Sequence, residues 1–108
     1  MSDTGADPCP DNPAPSSPDA QTRDVEIVNK KGLHARASAK FVQTVEQYDA
    51  DVKVTRCGET VGGNSIMGLM MLSAAPGTKI RIEATGPQAA AALDALSALV
   101  AGRFGEED

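Results

Sequence analysis

The first 23 residues constrain the fold more than any other feature, because they offer almost nothing to a hydrophobic core. They contain five of the chain's seven prolines and no valine, isoleucine, leucine or aromatic residue. Four aspartates against one arginine give them a net charge of −3. Such a segment buries too little apolar surface to offset its ordering entropy. We therefore expect a disordered tail over residues 1–23, one domain over residues 24–105, and an acidic end at residues 106–108.

The rest of the chain alternates short strand patterns with helical ones. Apolar residues alternate with polar ones over residues 24–27, 52–55 and 79–84, and residues 59–62 follow a tight Cys57-Gly58 turn. Helical spacing predicts helices over residues 35–47, 66–73 and 87–104. Short strands with one apolar face favour an antiparallel sheet covered on one side by helices, which is an α+β two-layer sandwich.

Composition excludes several classes of function. The formal net charge is −5, and the chain has one tyrosine, two phenylalanines and no tryptophan, so a nucleic-acid partner is not expected. No stretch approaches the ~20 apolar residues of a membrane span, and no secretory signal is present, so we expect a cytoplasmic protein without membrane insertion. A single histidine and no P-loop motif predict neither metal nor cofactor. Cys9 and Cys57 are interpreted as free thiols.

Chemistry is expected at His34, the only histidine, where a loop meets the first predicted helix. Gly32 permits a tight turn just before it. The start of a helix offers unpaired N–H groups and a positive dipole end, both of which favour an anion. Arg36 adds a fork of donors that suits phosphate oxygens. Because the same dipole disfavours an imidazolium, His34 is predicted to be neutral and nucleophilic, as reversible histidine phosphorylation requires.

These residues resemble a known family. Residues 32–36 resemble the active-site segment of HPr, the histidine-containing phosphocarrier of the phosphoenolpyruvate-dependent phosphotransferase system, and residues 64–68 resemble its regulatory segment. Residues 83–88 and the acidic end resemble the nitrogen-related NPr branch. The resemblance implies an open-faced sandwich with strand order 1-4-2-3 and three helices. It also implies that His34 takes phosphate on Nδ1 from phospho-enzyme I and passes it to an enzyme IIA, with Arg36 steadying the phosphoryl group.

Two positions keep a second interpretation open. Ala37 stands where the family usually has proline, which would stiffen the first helical turn. Ser65 matches the serine that HPr kinase/phosphorylase modifies in many bacteria, although a serine there also serves as an ordinary helix N-cap. The alternative to a phosphocarrier is therefore a regulatory binding module that acts mainly through phosphorylation of Ser65 and through the methionine-rich second helix, with little transfer at His34.

The second predicted helix is apolar on nearly every face. Leu69 and Leu72 are expected in the core, and Ile66, Met67 and Met70 are expected to form an exposed patch. The family resemblance implies that this patch docks enzyme I and enzyme IIA. These residues fill core in the simpler interpretation. Lysines near His34 would add a positive rim to the docking surface of a monomer. The predicted docking residues are Ile66, Met67, Met70 and Lys40.

Overall fold

The protein is a two-layer α+β sandwich in a computed structural model that describes residues 20–72 and 74–106. One antiparallel sheet, in the order β1-β4-β2-β3, contains β1 (Gln21–Glu26), β2 (Asp51–Arg56), β3 (Glu59–Gly62) and β4 (Lys79–Thr85). The helices are α1 (Ala35–Val45), α2 (Ile66–Met71) and α3 (Ala89–Ala101), followed by a 3-10 turn at Arg103–Gly105. The predicted fold class and the strand order implied by the family resemblance are both confirmed.

The core lies between the sheet and the helices. Ile80, Ile82 and Ala84 of β4 are buried, as the alternation predicts, and the register places Val54 of β2 opposite Ile82. The predicted face of α1, which includes Phe41, is buried as well. Because β4 is a central strand, it pairs with β1 on one side and β2 on the other, while the strand also contacts α3.

The first strand begins at Gln21, three residues before the predicted start of the domain at residue 24. Arg23 pairs with Ile82 of β4, and its guanidinium donates to the carboxylate of Asp94 on α3 at 2.8 Å. Backbone pairing to β4 therefore extends β1 through a polar stretch that shows no apolar alternation. Residues 1–19, which make up most of the predicted tail, lie outside the described residues.

The helices end at residues other than those predicted from the spacing of apolar residues in the sequence. Helix α1 ends at Val45 and α2 at Met71, while the predicted end of α2 at Ser73 lies outside the described residues. Helix α3 ends at Ala101, although apolar spacing predicts it to Phe104. Arg103 and Phe104 have φ of 61° and 56°, which breaks the helix after Gly102, yet Phe104 remains buried. The chain thus turns sharply while keeping this aromatic ring in the core.

The interpretation of Cys57 as a free thiol is wrong, because its side chain is disulfide-bonded. The residue lies in the two-residue turn between β2 and β3, where Cys57 and Gly58 have φ of 55° and 79°. Two adjacent positive φ values are typical of the tight hairpin turn that the sequence predicts here. A disulfide requires only that two cysteines approach in space, so a long separation in sequence does not exclude one. The other cysteine, Cys9, lies outside the described residues.

Candidate functional site

The loop before α1 is held in place by a close approach between two backbone segments. Gly32 has a φ of +65°, and a Cβ atom there would lie 2.3 Å from the carbonyl oxygen of Ala74. The N–H of Leu33 donates to the same oxygen at 3.0 Å, and the Leu33 side chain is buried. Glycine is therefore required at position 32, both for its conformation and for lack of space. The result is a fixed backbone immediately before His34.

His34 is the N-cap residue of α1, with extended backbone angles. Its carbonyl accepts from the N–H of Ser38, and within the described residues no side chain caps the helix. The first-turn N–H groups of an α-helix have no intrahelical acceptor and carry the positive end of the dipole. Arg36 is exposed in that turn, whereas Ala37 is fully buried. The site can therefore bind an anion beside the imidazole.

The Nε2 atom of His34 forms a hydrogen bond with the carboxylate of Glu106, near the other end of the chain. Asn29 donates from Nδ2 to both carboxylate oxygens, at 3.2 and 3.3 Å, and to the carbonyl oxygen of Gly32 at 2.8 Å. The hydrogen bond with His34 lowers the pKa of Glu106 although its burial opposes the change. Both side chains are largely covered, with exposed fractions of 27% for His34 and 16% for Glu106.

Glu106 is the functional candidate that sequence analysis missed. It was included only in an acidic end, and the sequence shows no local pattern that links it to His34. The contact spans 72 positions and depends on the sharp turn after α3. In the part of the chain that the structure describes, Nδ1 of His34 has no hydrogen-bond partner.

A small open pocket lies beside the imidazole. Its volume is about 230 Å³, and its lining consists of Lys31, Leu33, His34, Ala74 and Ala75. The single charged lining residue is a lysine, so the pocket suits a small anionic group. Over residues 20–72 and 74–106, no cluster of three or more His, Cys, Asp or Glu side chains could hold a metal ion. In the same residues, no helix has the length and apolar character needed to cross a membrane.

Ser65 caps the short helix α2. Its hydroxyl accepts a hydrogen bond from the N–H of Gly68 at 3.0 Å, and the side chain is half-buried. A Cβ at position 68 would lie 3.1 Å from that hydroxyl oxygen, so the glycine leaves space for the cap. The N-cap interpretation is confirmed, while modification of Ser65 stays a prediction.

Helix α2 presents the exposed apolar surface that its sequence predicts. Leu69 and Leu72 are buried, whereas Met67 is 74% exposed. Met71, which the prediction did not include, is 67% exposed. We call the exposed set the α2 patch; it consists of Ile66, Met67, Met70 and Met71.

Lys40 has a contact that the sequence did not predict. Its Nζ donates to the carbonyl oxygen of Phe104 at 2.6 Å and so links α1 to the C-terminal turn. This lysine is therefore partly engaged inside the protein, whereas Arg36 is exposed beside His34. The structure brings His34 into contact with the newly found Glu106 and leaves Arg36 exposed in the first turn of the same helix. It places the α2 patch on a helix that contacts α1.

An open-faced sandwich that presents an imidazole at a helix N-terminus, beside an arginine, has the architecture of a histidine phosphocarrier. A family model described as the PTS HPr component phosphorylation site matches residues 21–102. The chain belongs to the HPr family, the phosphocarriers of the phosphotransferase system.

Individual relatives agree with this assignment. The chain is 55% identical to the phosphocarrier protein HPr of Neisseria meningitidis over 82 residues, covering 76% of this chain and 92% of the relative. It is 44% identical to the phosphocarrier protein NPr of Klebsiella oxytoca over 84 residues, covering 77% and 93%. The crystal structure of HPr-C-His from Thermoanaerobacter tengcongensis superposes with a TM-score of 0.77 at 38% identity, covering 82% of this chain and 99% of that one.

Proposed function

We propose that the chain carries a phosphoryl group on Nδ1 of His34 and delivers it from phospho-enzyme I to a histidine of an enzyme IIA in the cytoplasm. The observation that carries this proposal is the position of His34 as the N-cap of α1, with Nε2 bound to Glu106 and Nδ1 without a partner in the described residues. One ring nitrogen is thus engaged, and the other is available as a nucleophile.

In the proposed phosphoryl transfer, the bond that forms is matched by the bond that breaks, so no cofactor is needed. The lone pair of Nδ1 attacks phosphorus while the bond between phosphorus and the donor's nitrogen breaks, and that nitrogen keeps the electron pair. The N–H groups at the start of α1 and the guanidinium of Arg36 stabilise the oxygens of the transferred group. Transfer to enzyme IIA is the same step in the other direction, in which Nδ1 is the leaving nitrogen.

The α2 patch is proposed to dock the protein partners. Flexible methionine side chains adapt to more than one surface, and a carrier must recognise both a donor and an acceptor. Lys40 contributes charge at the edge of this surface, although one of its hydrogens is committed to Phe104. The monomeric state belongs to the same proposal, as does assignment to the nitrogen-related branch.

Ser65 supports a second, regulatory role. Its position at the start of α2, next to the exposed Ile66 and Met67, means that a phosphate there adds about −1.5 to −2 charges beside the proposed docking surface. A helix N-terminus tolerates an anion, so this modification would repel acidic partners without unfolding α2. In the alternative function, a regulatory binding module, this modification is the main activity.

The two functions are separated by mass spectrometry of the full chain. The protein is incubated with phosphoenolpyruvate, magnesium and enzyme I, and separately with HPr kinase/phosphorylase and ATP. We expect rapid modification that His34→Ala abolishes in the first reaction and Ser65→Ala leaves unchanged. No modification by an enzyme I that is active on another carrier, together with modification at Ser65, overturns the carrier function in favour of the binding module.

A further inference from the structure

Among residues 20–72 and 74–106, the carboxylate of Glu106 is the charged group that touches the reacting ring, and the transfer step described above gives it no role. We infer that Glu106, oriented by Asn29, is a positioning residue that keeps the proton of His34 on Nε2 and balances the positive charge that the ring acquires on phosphorylation. This role rests on the proposed function, because it deepens the account of the same transfer.

The position of Glu106 is built into the fold. Phe104, two residues earlier, is 1% exposed, and its carbonyl oxygen accepts from Nζ of Lys40 on α1. The N–H of Glu106 donates to the carbonyl oxygen of Arg103 at 2.9 Å and closes the turn. Both ends of this segment are therefore tied down before the carboxylate reaches His34. A loosely attached terminus would have neither anchor.

Asn29 fixes the orientation of the carboxylate. Its side chain is fully buried, and its Nδ2 donates to the Gly32 carbonyl as well as to Glu106. Both partners are acceptors, so rotating the amide would place its oxygen against them. A single buried amide thus couples the loop that carries His34 to the residue that contacts its ring.

The hydrogen bond determines which nitrogen is nucleophilic. A neutral imidazole carries one proton, and a carboxylate acts only as an acceptor, so the bond to Glu106 requires the proton on Nε2. Nδ1 then keeps its lone pair on the side of the phosphoryl donor. A third residue selects the histidine tautomer in the same way in other covalent catalysts.

Glu106 also acts after the new bond has formed. Attack by Nδ1 gives a ring that carries phosphorus on Nδ1 and still carries hydrogen on Nε2, so the ring becomes cationic and no proton is released. Lys31 and Arg36 and the start of α1 all bring positive charge near this cation. The carboxylate offsets them, and a charge-assisted hydrogen bond of this kind changes a rate or an equilibrium by about tenfold or more.

The inference is tested first on the unphosphorylated full chain by ¹⁵N NMR of the His34 ring, at a pH where the ring is neutral. In the wild type we expect a protonated Nε2 and an unprotonated Nδ1. In Glu106→Ala the Nδ1-protonated tautomer should gain population, whereas Glu106→Gln should keep the wild-type tautomer because its amide oxygen still accepts. Glu107→Gln, which removes a charge from the same acidic end, is the control and should match the wild type.

Transfer kinetics with phospho-enzyme I provide the second measurement. We expect kcat to fall about tenfold in Glu106→Ala with KM little changed, and Glu106→Asp to recover part of the loss. A protonated Nδ1 in the wild type, ring spectra unchanged in Glu106→Ala, or an unchanged kcat in that variant overturns the role of Glu106 while the proposed function stands. If the wild type accepts no phosphoryl group at all, the proposed function fails, and this role fails with it.

Discussion

Phe104 joins the core of the domain to its functional site, and replacing it tests that connection. The ring is 1% exposed, so Phe104→Ala should cost about 3–5 kcal/mol of the free energy of unfolding, as for other buried aromatic rings. A domain of this size has a stability of roughly 4–13 kcal/mol, which the variant could exhaust. Phe104→Leu keeps much of the buried area and should cost about 1–2 kcal/mol.

The backbone of Phe104 gives a sharper test. Its φ of 56° costs a residue with a Cβ about 1 kcal/mol, and glycine avoids this cost. Phe104→Gly should therefore be at least as stable as Phe104→Ala, although glycine in a helix interior is less stable than alanine by about 0.5–1 kcal/mol.

Urea unfolding at neutral pH measures all three variants, with Met71→Ala as an exposed control that should change stability by no more than about 0.5 kcal/mol. A loss below about 1 kcal/mol for Phe104→Ala would refute the claim that this turn belongs to the core. A glycine variant clearly less stable than the alanine variant would refute the assigned backbone conformation. Phe104→Leu, which keeps the turn, should also keep the ring spectrum of His34.

Four further outcomes are expected. Gly32→Ala should lower the free energy of unfolding in urea by at least about 2 kcal/mol, because the added Cβ would meet the Ala74 carbonyl oxygen and the alanine would have to adopt a positive φ. An unchanged unfolding midpoint contradicts this. Ser65→Ala should lose about 1 kcal/mol with the N-cap, whereas Ser65→Asn should stay within a few tenths; equal losses in both would contradict a capping role. Met67→Ser should leave stability within about 0.5 kcal/mol but raise KM for phospho-enzyme I, and an unchanged KM would remove this residue from the docking surface. Because the pKa of Glu106 is lowered below 4.5, its stabilising contribution should be complete above pH 4.5 and should disappear as the pH falls through the lower folded pKa. The wild type and Glu106→Gln should therefore converge in stability as the solution becomes more acidic; a difference that grows towards acid pH is the contrary result.

The sequence predicted the elements whose pattern is local. The exposed methionines of α2 were expected because a two-layer fold cannot bury every face of an apolar helix, and the family resemblance favoured that interpretation. Alternation located β4, and helical spacing identified the buried face of α1. These predictions succeed because burial on one face of a strand or helix imposes a fixed period on the sequence.

Features that depend on tertiary contacts were missed. The start of β1 is polar, and its pairing with β4 extends it to Gln21. Phe104 continues the apolar spacing of α3, so periodicity could not reveal that the helix ends and that the chain turns to bury the ring. The contact of Glu106 with His34 joins opposite ends of the domain, and no spacing rule links two such residues.

The central claim, that Nδ1 of His34 carries the phosphoryl group, is tested most directly by ³¹P and ¹⁵N NMR of the ¹⁵N-labelled chain. The sample contains phosphoenolpyruvate, magnesium and enzyme I, beside a His34→Ala control. Phosphorus bound to Nδ1 of His34, lost in the control and on addition of enzyme IIA, is the predicted result. Phosphorus bound to Nε2, or a signal that persists in the control, would contradict the account.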